Sequence, residues 1–156
     1  METTLPVAMN QPSFSTPSQW CDHADELAKR GDSKGALAAY TEALRHDASL
    51  VRALVGRGIL SYHDHSWDKA VADFTLALRL EPDNVSARIN RANAFHQRGN
   101  TERAIEDYTH ALNVDPSNWQ AFLGRSLAFS ALGQHHNAEH DQRMASELAE
   151  ERGIDL

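Results

Sequence analysis

Apolar residues recur along this chain as the stripe of a single helical face. Ala36 is followed by Tyr40, Ala43 and Leu44 at the i+4, i+7 and i+8 positions, and Ala70, Phe74, Ala77 and Leu78 repeat the spacing, as do Ala104, Tyr108, Ala111 and Leu112. That spacing predicts helices with one buried face. The stripes lie 34 residues apart, as positions 36, 70 and 104 show, and Ala138 and Ala145 carry the same register forward. A fixed period of this length is tested before any single helix, because it decides the architecture. Divided from Pro17, the chain falls without insertion or deletion into units 17–50, 51–84, 85–118 and 119–152, so residues take places 1 to 34 counted from Pro17, Val51, Val85 and Trp119.

The eighth place is always small (Ala24, Gly58, Ala92, Ser126), while the twenty-fourth is Tyr40, Phe74 and Tyr108 before it becomes Gln142. Large aromatics are therefore expected to face small residues. The first half of a unit is preceded by Asp83-Asn84 or Ser117-Asn118 and followed by Gly31, Gly99 or Gly133, the chemistry of helix N- and C-caps. Pro82 and Pro116 stand between units, where proline ends one helix before the next. Each unit is thus a helical hairpin, which cannot bury its apolar face alone but can against its neighbours. The predicted fold is all-α, a right-handed α-solenoid of four hairpins over 17–152. A disordered arm over 1–16, containing Leu5, Val7, Met9 and Phe14, and a short tail over 153–156 complete the expected organisation.

The stretch RINRANAFHQRGNTERAIEDYTHALNVDP at 88–116 runs through small, aromatic, Gly, Ala, aromatic, Ala and Pro in order, and in this the sequence resembles the tetratricopeptide repeat family. Unit one departs from the pattern with Ala48 in place of proline. Unit four departs with Gln142 and Ser146, polar residues suited to a terminal cap.

The resemblance implies that places 2, 5, 6, 9, 12 and 13 face a concave groove that binds a partner segment. In unit two these are Arg52, Val55, Gly56, Ile59, Tyr62 and His63; in unit three Ser86, Ile89, Asn90, Asn93, His96 and Gln97. Unit four adds Gln120, Leu123, Gly124, Leu127, Ser130 and Ala131. Asn90 and Asn93 can donate and accept, which suits an extended peptide backbone, and Ile59, Leu123 and Leu127 offer apolar pockets. Gly56 and Gly124 cost helix stability relative to alanine; either a bound backbone or a tightly packed helix would explain them. Some relatives clamp a chaperone's C-terminal carboxylate with lysines, asparagines and an arginine, a set that this chain lacks: its corresponding places hold Cys21, Asp25 and Gly56, or in the next frame Val55, Ile59, Asn90 and Gly124.

Comparison among units predicts an ion pair. Arg57, Arg91 and Arg125 share place 7, and Asp73, Asp107 and Asp141 share place 23, at nearly the same level of an antiparallel hairpin. Unit one carries His23 and Ala39 instead. Only Lys29, Lys34 and Lys69 among the 15 basic residues are lysine, a bias towards the fixed bidentate geometry of arginine.

Net charge of −7 without a basic block excludes a nucleic-acid partner, and no apolar run approaches the roughly 20 residues of a membrane span. The first basic residue is Lys29, so the start lacks the features of a secretory or transit signal, and a cytoplasmic location is expected. Cys21 is alone, which rules out an internal disulfide.

No phosphate-binding glycine loop, nucleophile elbow or H-E-x-x-H occurs. The histidines are the remaining chemistry. His136 and His140 lie one turn apart but are only two ligands, and His63, Asp64 and His65 of SYHDHSW fall in the turn of unit two, with His65 where the other units have glycine. The expected function is non-enzymatic: a segment of a protein or peptide partner, either extended or helical, held in the groove, with no cofactor and no metal. The rival reading is a scaffold self-assembling into homo-oligomers; a metal-binding protein is the third.

Overall fold

The computed structural model describes residues 14–156. The described residues form eight helices: α1 (Pro17–Lys29), α2 (Ser33–His46), α3 (Val51–His63), α4 (Trp67–Leu80), α5 (Val85–Gln97), α6 (Thr101–Val114), α7 (Trp119–Ala131) and α8 (His135–Glu150). The first helix of every unit spans places 1 to 13, so the fold is the all-α solenoid that the period predicts.

Local chemistry sets the helix ends. The side chains of Asn84 and Asn118 accept from the backbone N–H of Ala87 (2.9 Å) and Ala121 (3.1 Å), which satisfies donors that the first turn leaves open. Gly31, Gly99 and Gly133 adopt φ of 82°, 82° and 70° and reverse the chain within each hairpin; His65 does the same with φ of 57°. Thr16 forms a reciprocal capping box with Gln19, and Phe14 stacks edge-on against Trp20 at 4.9 Å. The folded part thus begins before Pro17, the predicted boundary. Leu5, Val7 and Met9 lie outside the described residues.

Packing follows the small residues. Ala43, Ala77, Ala111 and Ala145 are fully buried, letting the paired helices approach closely enough for Tyr40, Phe74 and Tyr108 to sink between hairpins. Each such ring contributes about 1.5–3 kcal/mol on burial. The first helices touch across units, α1 with α3, α3 with α5 and α5 with α7, whereas among the described residues the second helices of successive units do not. Helices closer on one side than on the other curve the array, and the first-helix side is the inner one. In the last described hairpin, the buried Ser126 donates to Gln142 (3.2 Å), whose own side chain is exposed.

Candidate functional site

The inner face is built by α1, α3, α5 and α7, and two hollows on it bring together part of the predicted groove. One, about 410 Å³, lies between α1 and α3 and holds Arg52, Val55, Gly56 and Ile59 with Asp25 and Tyr40. The second, about 480 Å³, lies between α5 and α7 and holds Ile89, Asn90, Asn93 and Gln120 with Asp115 and Asn118. Ser86 borders both, so they form one track. Tyr62, His63, His96, Gln97 and Leu123 line neither hollow. Tyr62 is half-buried against the Phe74 core, and His96 Nδ1 lies 3.5 Å from the Thr101 hydroxyl. Leu127 is 56% exposed and lies in the last described hairpin, beside Ser126 and Gln142, with no further hairpin over it among the described residues. Ile89 is buried in the core cluster of α5 to α7 and offers only a floor.

Arg52 is not a free cation. It donates to Asp22 (2.7 Å) and to Asp25, and these hydrogen bonds raise its already high pKa further. Asp25 also accepts from the Tyr40 hydroxyl. Burial works against the charge of Asp25, but the bonds from Tyr40 and Arg52 outweigh it and hold the carboxyl below the ordinary 3.8. Burial first, and the bond to Asp25 second, push the Tyr40 hydroxyl well above its usual range.

Tyr108 repeats the arrangement two units on, donating to Asn93 Oδ1. This fixes the Asn93 amide so that its Nδ2, with no protein partner among the described residues, remains a donor. Asn90 is oriented the other way: its Nδ2 donates to the carbonyl of Ser86 (2.9 Å), leaving Oδ1 as an acceptor. Neighbouring turns of α5 thus present one donor and one acceptor, the complement of a peptide unit.

The two groove glycines are explained by the same tyrosines. A Cβ at Gly56 would collide with the Tyr40 ring, and one at Gly124 would lie 2.5 Å from Tyr108. Between the two open readings, tight packing is the one in the structure. In unit two, Phe74 lacks a hydroxyl and leans into its own hairpin, where a Cβ at Gly58 would lie 2.7 Å from it; the following α5 accordingly carries Asn90 where α3 and α7 have glycine. Sequence reasoning missed this coupling, although its signal was present: Tyr, Phe, Tyr at place 24 runs with Asp25, Ile59, Asn93 at place 9 and Gly56, Asn90, Gly124 at place 6 of the next unit.

The arginines and aspartates aligned by the period meet inside their hairpins. Arg57 holds Asp73 at 2.8 and 2.7 Å, Arg91 holds Asp107 at 2.7 and 2.8 Å, and Arg125 holds Asp141 at 2.6 and 3.0 Å, each through two nitrogens. The carboxylates are buried. The pair raises the pKa of Arg57, chiefly through the hydrogen bond to Asp73. Two of the arginines also reach the preceding unit: Arg91 Nη1 donates to Thr75 (3.2 Å) and Arg125 Nη1 to Thr109 (3.0 Å). These bonds link hairpins as well as closing them, a role that comparison of places 7 and 23 alone did not expose.

Among the described residues no group of three or more His, Cys, Asp or Glu could hold a metal ion, and no helix is long and apolar enough to cross a membrane. A tetratricopeptide repeat profile matches residues 85–118, and a second of the same description matches 21–85. The chain belongs to the tetratricopeptide repeat family. Similar solved folds include MamA 41-end from Desulfovibrio magneticus RS-1 (18% identity, 90% of this chain and 78% of that one, TM-score 0.80). The first tetratricopeptide repeat domain of Spaghetti (RPAP3) bound to the HSP90 peptide SRMEEVD is 21% identical over 78% of this chain and 96% of its own, with a TM-score of 0.74. A thermophilic tetratricopeptide repeat protein of Thermus thermophilus, TTC0263, is 18% identical over 86% of this chain and 75% of its own, TM-score 0.75. No curated protein matches the chain. As a tetratricopeptide repeat array, the protein is a protein-interaction module.

Proposed function

We propose that this tetratricopeptide repeat protein is a non-enzymatic cytoplasmic adaptor that holds an extended, neutral or basic segment of another protein along α3, α5 and α7. The observation that carries this reading is the opposed pair on α5, the free Nδ2 of Asn93 beside the free Oδ1 of Asn90, in the same hollow as Gln120 and next to the hollow that holds Val55 and Ile59. Backbone recognition by such a pair, with pockets alongside for side chains, gives affinity without demanding one sequence.

Charge narrows the partner. The sole arginine of the groove places, Arg52, is neutralised by Asp22 and Asp25, and the hollows contain Glu81 and Asp115. An acidic tail such as the HSP90 peptide held by the Spaghetti relative would meet like charge here, so that class is disfavoured. The test is affinity capture by the wild-type chain beside Asn90→Ala/Gln120→Ala, two substitutions that leave the Tyr108 bond intact. A specific partner lost by the variant supports the groove; equal recovery by both refutes it. Self-assembly through the exposed Leu127 at the array end is the second reading, and light scattering over a concentration series distinguishes it, since an adaptor remains monomeric.

A further inference from the structure

The outer face carries a feature that the repeat makes visible. Between α4 and α6 the space is filled by Phe95 of α5, 8% exposed, whose ring lies 5.6 Å from the Arg91 guanidinium and 5.7 Å from that of Arg103. In the next unit Phe129 occupies the same place 11, 5.7 Å from Arg125. In unit two place 11 is Ser61, and a cleft of about 610 Å³ opens between α2 and α4, walled by Leu37 and Thr41, Leu60, and Ala72. Leu60 replaces Ala94 and Ala128 at the neighbouring place, but it packs into the core of the first two hairpins rather than closing the gap.

The polar groups around the cleft are also differently engaged from their counterparts. Arg91 and Arg125 each reach a threonine of the preceding unit. The corresponding Thr41 instead donates to its own Leu37 carbonyl (2.8 Å), and Arg57 makes no bond to it. Across the α4–α6 mouth Arg98 and Asp68 are bridged at 2.8 Å. The same places at the α2–α4 mouth are Asp64 and Lys34, which form no ion pair among the described residues, and Lys69 stands where Arg103 covers Phe95. Leu37 is 40% exposed on the wall.

We propose that this outer cleft is a second binding site, separate from the concave groove, which takes an aromatic side chain with an adjacent carboxylate from a protein partner. The ring lies where Phe95 and Phe129 lie in the later units, against the face of Arg57, which its bidentate bond to Asp73 holds ready. The carboxylate is matched by Lys34 and Lys69 at the rim, two cations against the one carboxylate there, Asp64, that is not held in an ion pair among the described residues.

The test is a 15N NMR titration of the whole chain with acetyl-Glu-Phe-amide, with acetyl-Glu-Leu-amide and acetyl-Lys-Phe-amide as controls. Saturable shifts at Leu37, Thr41 and Ser61 are expected, with affinity for the first probe roughly 2- to 5-fold above that for the leucine probe and also above the lysine probe. Ser61→Phe, which fills the cleft from within, should abolish them and raise the Tm. Leu37→Glu, on the exposed wall, should abolish them with the fold intact and serves if Ser61→Phe does not fold. Asn90→Ala should leave them unchanged, which separates failure of this site from failure of the groove. Absence of saturable shifts, shifts confined to α5 and α7, equal binding of the three probes, or binding undiminished in Leu37→Glu would each overturn the proposal.

Discussion

The ring of Tyr108 lies against Gly124, so that the one side-chain hydroxyl of the third hairpin's aromatic stripe is carried across to the next hairpin while still bonded to Asn93 in its own. Tyr40 and Gly56 repeat the relationship. Two structural needs meet at that contact: the glycine makes room, and the tyrosine sets the orientation of a groove amide.

Replacing Gly124 or Gly56 by alanine should therefore destabilise the protein although alanine favours helix. Overpacking costs about 1–3 kcal/mol against a propensity gain of about 1 kcal/mol, so a net loss of about 1 kcal/mol is expected, seen as a lower urea midpoint. Asn90→Ala, at the same place of unit three, where no tyrosine ring has to be accommodated because Phe74 leans towards Gly58, should change stability by less than about 0.5 kcal/mol.

The buried and exposed ion pairs should separate sharply. Asp107→Ala leaves Arg91 and Arg88 facing an empty place between packed helices, and losing one member of such a pair costs about 3–5 kcal/mol. Asp22→Ala removes an exposed partner of Arg52 and should cost less than about 1 kcal/mol. Hydrogen exchange would show the first loss in α5 and α6.

His65 is the one described non-glycine residue with positive φ, at 57°. A side chain in the left-handed region costs about 1–2 kcal/mol relative to the right-handed one, a strain glycine does not bear. His65→Gly should raise the thermal midpoint, and His65→Val, branched at Cβ, should lower it.

Acid stability should depend on Asp25. Its folded pKa lies below the ordinary 3.8 because the bonds from Tyr40 and Arg52 outweigh burial. The unfolded state then binds the proton more readily, so this contribution is complete above 3.8 and is lost as pH falls through the folded value. The stability difference between wild type and Asp25→Asn should shrink across that window, measured by urea titrations at successive pH values.

The sequence by itself determined the period, the eight helices, their glycine turns and asparagine caps, and the alignment of Arg57, Arg91 and Arg125 with their aspartates. These depend on helical faces and chain ends, which the order of residues encodes directly. Only the tertiary structure decided which partner each side chain took. Arg52 was legible as a groove residue but not as neutralised, because Asp22 and Asp25 come from the neighbouring hairpin. Ile89 lies on the groove side by its place and in the core by its packing. The missing ring at Ser61 became a cleft only because α2 and α4 do not touch. Each outcome depends on distances of a few ångströms between hairpins, set by the packing of all their side chains together and not by any local pattern.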